Sequence, residues 1–196
     1  MVLGTYGHGT HNDFVLVFDG ENKLTFSADQ VKRICDRSSG VGADGFIRIT
    51  KENNQWFMDY RNADGSIAEM CGNGIRVMAR YLQERGHQPS GIYSIDTRAG
   101  RKFLAVPDTG DISVNMGQVS QVPGQIDVVE NANTYQGLNI EIGNPHAVVF
   151  TDDLALVGDL KTAPVVTPAD AYPDGVNVEF AQFTGDNQLK MRVFER

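Results

Sequence analysis

Apolar and polar positions alternate along the chain in short periods, which predicts many strands and few helices. Residues 14–18 form an uninterrupted apolar run of strand length. Ser27-Ala28-Asp29-Gln30 has the form of a capping box and predicts a helix that starts there and ends near Gly40. Strands follow at 46–50 and 55–61; in the second, Trp56, Met58 and Tyr60 alternate onto one face. Asn62-Ala63-Asp64-Gly65 is turn chemistry. After Cys71, the residues Ile75, Met78, Ala79 and Leu82 recur at helical spacing, and Gly86 supplies a stop. Strands are then expected at 92–97, 101–106 and 111–116, the last alternating Ile112, Val114 and Met116. Beyond a Gly- and Gln-rich stretch at 117–125, the pattern predicts strands near 137–142 and 147–150, a helix near 153–160, and strands near 176–183 and 188–195. The class is α+β, with a domain boundary that separates 1–116 from 117–196.

The same order of elements occurs twice. Asn12 leads into the strand at 14–18 and Asn144 into the strand at 147–150, and a short helix is expected after each. Ala43-Asp44-Gly45 is echoed by Pro173-Asp174-Gly175, and the strand at 55–61 by the segment 188–196. Carried forward by the same offset of about 130 residues, the counterpart of Cys71 would fall near 201–205, past Arg196. The second half is therefore expected to be incomplete, with apolar strand positions such as Met191 and Val193 left partly uncovered.

Composition narrows the function classes. The 196 residues are 41% hydrophobic, enough for a core, and no apolar run approaches the ~20 residues that span a membrane. A net charge of -8 without a basic cluster argues against nucleic acid and anionic membrane surfaces as partners. The N-terminus carries no basic-then-apolar signal pattern, so a cytoplasmic location is expected. The two cysteines do not make a disulfide framework. Cys35 sits in a helical apolar pattern and is expected to be inert core.

Cys71 is different. It stands where a turn-rich segment becomes an amphipathic helix, and Gly72, Asn73 and Gly74 leave the first helical N–H groups uncovered. Those donors and the positive helix end attract an anion such as a carboxylate. The same field favours thiolate over thiol, moving a cysteine pKa from ~8.5 towards ~3.5–7.5. One segment thus offers a carboxylate seat with a sulfur base beside it. Other motifs carry less. His8 and His11 have no third ligand nearby, so no metal is expected. Gly40-Val41-Gly42-Ala43-Asp44-Gly45 lacks the lysine of a phosphate loop and fits a close-packed turn better than a nucleotide site.

On these residues the chain resembles the diaminopimelate epimerase family over essentially its whole length. The matching motifs are Asn12-Asp13-Phe14-Val15, Gly40 to Gly45, Asn62-Ala63-Asp64-Gly65-Ser66, Glu69-Met70-Cys71-Gly72-Asn73-Gly74, Gly143-Asn144-Pro145-His146, Gly175-Val176-Asn177 and Glu195-Arg196. The resemblance implies two pseudosymmetric strand-rich halves, each wrapped around a central helix, with a small-molecule amino-acid substrate between them. It implies racemisation without a cofactor, by a thiolate on one face of the α-carbon and a thiol on the other, and a homodimeric assembly. Cys71 matches the first of those sulfurs; the Cys-Gly-Thr-Gly motif that carries the second does not occur in these residues. The activity expected of these residues alone is correspondingly impaired. Gly72 and Asn73 would bind the substrate α-carboxylate. Asn12, Asn62, Asn144 and Asn177 match substrate-contacting asparagines, Glu195 and Arg196 match contacts to the distal amino-acid end, and His146 with Glu195 would tune the sulfurs. A proline racemase-like isomerase is the alternative enzyme, although those proteins typically carry histidine where Asn73 stands. A binding module of the same fold that does not turn its ligand over is the non-enzyme alternative.

Overall fold

In the computed structural model, which describes residues 2–195, the apolar run at 14–18 lies inside the second strand of the first of two sheets. The chain divides into two compact units, Met1–Met116 and Gly117–Arg196. In chain order the first unit contains β1 (Gly4–Gly9), β2 (Asn12–Asp19), α1 (Ala28–Cys35), β3 (Gly45–Glu52), β4 (Gln55–Asn62), α2 (Gly72–Glu84), β5 (Gly91–Thr97), β6 (Gly100–Val106) and β7 (Ser113–Asn115). The seven strands follow one another across the sheet in sequence order. The pairs β2–β3 and β4–β5 are parallel and the others antiparallel.

Both faces of this sheet are covered, and the period-two pattern sorts the strand residues between them. Val15, Val17 and Phe46 pack against Val31 and Cys35 of α1 on one face. Phe14, Leu16, Ile47, Ile49, Met58 and Tyr60 pack against Ile75, Met78, Ala79 and Leu82 of α2 on the other. The helix α1 starts as expected: Ser27 accepts from the Gln30 N–H and the Gln30 side chain accepts from the Ser27 N–H. It ends at Cys35, short of Gly40, because Asp36 turns extended and its carboxylate takes up Ser38 and Ser39. The glycine motif then wraps back over the helix end, where Val41 and Gly42 donate to Ile34 O and Ala43 to Cys35 O. A Cβ at Gly40 would lie 2.1 Å from Arg33 O, so the close-packed turn expected of this motif is what forms. Gly86 adopts φ 71 and closes α2, with Gly86 N–H on Gln83 O and His87 N–H on Leu82 O. Strand β7 is only three residues long, shorter than the alternation over 111–116 predicts.

β1 is absent from the apolar pattern, since Gly4-Thr5-Tyr6-Gly7-His8-Gly9 has loop composition. It forms because α2 lies against it. A Cβ at Gly7 would sit 2.9 Å from Val77 Cγ1, and one at Gly9 3.2 Å from Val77 Cγ2.

The second unit contains β8 (Ser120–Gln121), β9 (Ile126–Glu130), β10 (Asn133–Glu141), β11 (Pro145–Phe150), β12 (Val165–Thr167), β13 (Asn177–Gly185) and β14 (Gln188–Phe194). Its sheet runs β12-β9-β10-β11-β13-β14, with β8 on β10. The repeat is present in the pairing: β10–β11 antiparallel, β11–β13 parallel and β13–β14 antiparallel reproduce β1–β2, β2–β3 and β3–β4. Register refines it. Phe14 pairs with Gly45 and His146 with Asn177, so the counterpart of Gly45 is Asn177 and not Gly175, which lies two residues before its strand. The strands β9 and β12 are not foreshadowed by the apolar pattern.

The helix expected near 153–160 does not form. Leu154, Val157 and Leu160 have helical spacing and are buried, but Asp153 Oδ1 accepts from Ala155 N–H at 2.8 Å in a local turn. Gly158 follows, and Leu160 takes φ 53, outside any helix. Among the described residues the second unit has no helix, and the segment packs as turns over Ala147, Val149, Val178 and Phe180. The opposite face, equivalent by register to the one α2 covers, leaves Phe183 69%, Met191 60% and Leu189 56% exposed.

Charge is concentrated inside the first unit. Asp59, 3% exposed, is paired with Arg48, Arg61 and Arg98. Burial works against its ionisation, but hydrogen bonds from Arg98 and Arg48 outweigh that and hold its carboxyl below the usual carboxylate range. A lowered folded-state pKa contributes stability above the unfolded value of ~3.9 that is lost as pH falls through the folded value. Asp59→Asn should therefore destabilise by about 3–5 kcal/mol near neutrality. The gap to wild type in urea unfolding should close below about pH 4; a gap independent of pH would contradict the pairing. The exposed β13–β14 face should bind a hydrophobic dye and drive concentration-dependent association in sedimentation. Phe183→Ser with Met191→Ser should suppress both.

Candidate active site

Cys71 is the N-cap of α2, with φ -137 and ψ 119, an extended conformation that aims its side chain along the first turn. Its Sγ accepts from the Gly74 N–H at 3.4 Å, and its carbonyl accepts from the Ile75 N–H at 2.9 Å. The N–H groups of Gly72 and Asn73 have no carbonyl four residues back within the helix, so they remain for a ligand. Gly72 carries no side chain of its own, with Met116 3.5 Å from where a Cβ would stand, and Gly74 is favoured by packing: a Cβ there would lie 3.1 Å from Ile47 Cδ1. The thiol is half-buried, packed at the edge of the core that includes Phe14, Ile47 and Ile75. Cys35 has the opposite environment. It is 3% exposed, and burial pushes its thiol up to about 11, which suits an inert core position.

Asn12 stands at the start of β2 and reaches the same place. Its Oδ1 is 3.6 Å from Cys71 Sγ and 3.5 Å from Asn73 Nδ2. Asn73 Oδ1 in turn accepts from Thr10 Oγ1 at 3.0 Å and from Arg76. Asn62 ends β4, in the sheet row of Phe14 and Gly45. Its Nδ2 donates to Ser66 Oγ at 3.0 Å and its Oδ1 accepts from Tyr60 OH at 3.1 Å, so its side chain is engaged in its own turn.

In the second unit, Asn144, His146 and Asn177 come together at the equivalent sheet end. His146 Nδ1 lies 2.7 Å from Glu179 Oε1, and Nε2 lies 3.0 Å from Asn144 Oδ1. Asn177 is half-buried beside His146 in the register. Glu195 follows Phe194, which pairs with Val178, so it comes alongside Asn177 and is exposed. Arg196 lies outside the described residues.

Two groups of residues escaped the sequence reading. Glu179 is one; its place in a strand concealed a carboxylate on His146. The other is a charged cluster behind Asn12. Arg37 grips Asp13 through two hydrogen bonds, at 3.0 and 2.8 Å, and also reaches Asp44 at 2.8 Å. The Arg37 guanidinium, with Tyr6 OH at 2.6 Å and the Asp44 N–H, holds the Asp13 carboxyl well below the usual carboxylate range. Asp13 and Asp44 both stand inside motifs that had been singled out, but acidic residues beside turns are too common to signal such a cluster. His8 and His11 stack on each other, ring centroids 6.1 Å apart.

Comparison with known proteins identifies the family. The profile of the family "Diaminopimelate epimerase" matches residues 4–122 and 138–196. The diaminopimelate epimerase of Streptomyces coelicolor is 45% identical over 201 residues, covering 97% of this chain and 70% of the relative. That of Thermobifida fusca is 40% identical, covering 97% and 74%. Among solved structures, a hydroxyproline epimerase from Agrobacterium vitis with bound trans-4-hydroxy-L-proline superposes with TM-score 0.63 at 15% identity, covering 98% of this chain and 68% of that one. A PhzF-family phenazine biosynthesis protein from Bacillus anthracis superposes with TM-score 0.62 at 15% identity, covering 98% and 71%. These last two share the fold; the sequence relatives carry the assignment, and the chain belongs to the diaminopimelate epimerase family.

Proposed function

We propose that the chain provides the Cys71 half-site of a cofactor-independent, two-base epimerase that interconverts LL- and meso-2,6-diaminoheptanedioate, for lysine and peptidoglycan-precursor synthesis. One observation carries this reading: Cys71 caps α2 with the Gly74 N–H on its sulfur, while the Gly72 and Asn73 N–H groups stand ready beside it. The α-proton of an amino acid is hard to remove because the carbanion forms next to a carboxylate that is already negative. Amides at a helix N-terminus meet that difficulty, since they point at the oxygens on which the new charge accumulates. The substrate carboxylate seats on Gly72 and Asn73, which places the α-carbon beside Cys71. The sulfur then takes the α-proton as thiolate or returns it as thiol.

The remaining roles follow from position. Asn12 and Asn62 lie at the sheet end that faces the α2 N-terminus and are assigned to the substrate. Asn144 and Asn177, at the equivalent sheet end of the second unit, are likewise assigned to the substrate, and Glu195 with Arg196 to its distal amino-acid end. His146, held by Glu179, is assigned to adjusting protonation together with Glu195. A homodimer that works without pyridoxal phosphate is carried over from the family resemblance, and a cytoplasmic location from the reading of the sequence. No helix among the described residues is long and apolar enough to cross a membrane.

Inversion needs a base on one face of the α-carbon and an acid on the other. Cys71 is one such group, and buried Cys35 is unsuited to be the second. The 196-residue chain in deuterium oxide should therefore exchange the α-proton of one epimer much faster than it forms the other. Cys71→Ala should cut that exchange by at least about 100-fold, the usual worth of a general acid–base group. Rapid formation of the opposite epimer would refute the half-site reading, and full exchange by Cys71→Ala would remove the sulfur from the mechanism.

A further inference from the structure

The side-chain amide of Asn12 is not free to choose which end faces Cys71. Its Nδ2 donates to Asp44 Oδ2 at 2.9 Å. A carboxylate has acceptors only, so the end of Asn12 turned to Asp44 must be the NH2 group, and the carbonyl oxygen must point to the α2 N-terminus. Asp44 cannot swing away to relax this. Its Oδ1 is paired with Arg37 at 2.8 Å, its Oδ2 also accepts from the Asp13 N–H at 3.1 Å, and its own N–H donates to Asp13 Oδ1 at 2.8 Å.

The consequence falls on the sulfur. A thiol can donate to the Asn12 oxygen 3.6 Å away, whereas a thiolate would meet its lone pairs. The Gly74 N–H pulls the other way, since it favours negative charge on Sγ. We propose that Asp44 is a positioning residue: by fixing the Asn12 amide with its oxygen toward Cys71, it keeps the sulfur in its proton-carrying form until substrate displaces that contact. This deepens the role given to Cys71 above and rests on that reading. Besides the Asp13–Arg37–Asp44 cluster, the titratable and charged groups among the described residues on the elements around Cys71 include Arg76, Arg80, Tyr81 and Glu84 on α2, Glu69 just before it, Tyr6 and His8 on β1, His11 in the β1–β2 turn, and Asp59, Tyr60 and Arg61 on β4. None of these is altered in the variants below.

The test is the pH dependence of Cys71 alkylation by iodoacetamide, followed by mass spectrometry of the Cys71 peptide, because only the thiolate reacts. In Asp44→Asn the side-chain oxygen is claimed by Arg37 and an NH2 group is left toward Asn12, which reverses the Asn12 amide. Asp44→Asn and Asn12→Ala should each lower the alkylation midpoint by about half a unit to one unit, the scale of one neutral hydrogen bond. The double variant should match Asn12→Ala alone. An equal shift from Asp44→Asn in the Asn12→Ala background would mean that the lost charge acts through space, which overturns the proposal, as would unmoved midpoints. A measurement on the wild-type chain needs no variant to fold. Nuclear Overhauser contacts from the Asn12 NH2 protons should reach the Arg37 side chain, and contacts to the Cys71 Hβ protons in their place would also overturn it. Alkylation reads the sulfur whether or not diaminopimelate is turned over, so failure here is separable from failure of the proposed function.

Discussion

The close seating of α2 on the first sheet is the constraint on which the rest of that unit depends. Ile75, Met78 and Leu82 are fully buried beneath it, each contributing on the order of 1.5–3 kcal/mol. That burial requires the backbones to approach, and glycine permits it. Gly7 and Gly9 of β1 make room for Val77, and Gly74 for Ile47. With the helix held in this way, its first turn has one place to go: the sheet end where β2 begins and β4 ends. The position of Cys71 beside Asn12 is thus a product of core packing several residues away.

The two sheets share one pairing scheme, and their chemistry separates along equivalent rows. In the first unit, Phe14, Gly45 and Asn62 form a row beneath the helix start; in the second, His146 and Asn177 occupy it, and Glu195 follows directly after the end of β14. Gly45 is small because Tyr60 fills the space above it, with a built Cβ only 2.6 Å from the ring. Asn177 stands at the equivalent position and carries a side chain there. The turns of residues 151–164 stand where α1 stands in the first unit, covering the face formed by Ala147, Val149, Val178 and Phe180. Helix geometry is therefore dispensable for covering that face, provided that leucine and valine reach it at suitable spacing.

Electrostatics at the site work at two removes from the sulfur. Arg37 neutralises two carboxylates that sit side by side, and this lets Asp44 remain close to Asn12 without repulsion from Asp13. An uncompensated pair of acids there would repel each other, most of all at buried Asp13. His146 shows a related arrangement in the second unit, with Glu179 on one ring nitrogen and Asn144 on the other. In both units a polar residue that opens a strand is oriented by a carboxylate reaching from the neighbouring segment.

Local chemistry determined much of this from sequence. The capping box at Ser27, the stop at Gly86, the alternation through Trp56, Met58 and Tyr60, and the exposed start of the helix after Cys71 all rest on interactions within a few residues, and each formed as its residues dictate. The family membership was equally legible, because its motifs keep their order. Tertiary structure decided the rest. It made a strand of glycine-rich β1, since α2 lay against it, and it packed residues 153–160 over the second sheet as turns, where a local aspartate turn and a left-handed Leu160 break the apolar period. It also bound Asp13, Asp44 and Arg37 into the support of Asn12. Asp13 is distant along the chain from Arg37 and Asp44, and the hydrogen bonds that join them depend on the pairing of β2 with β3, which no local pattern encodes.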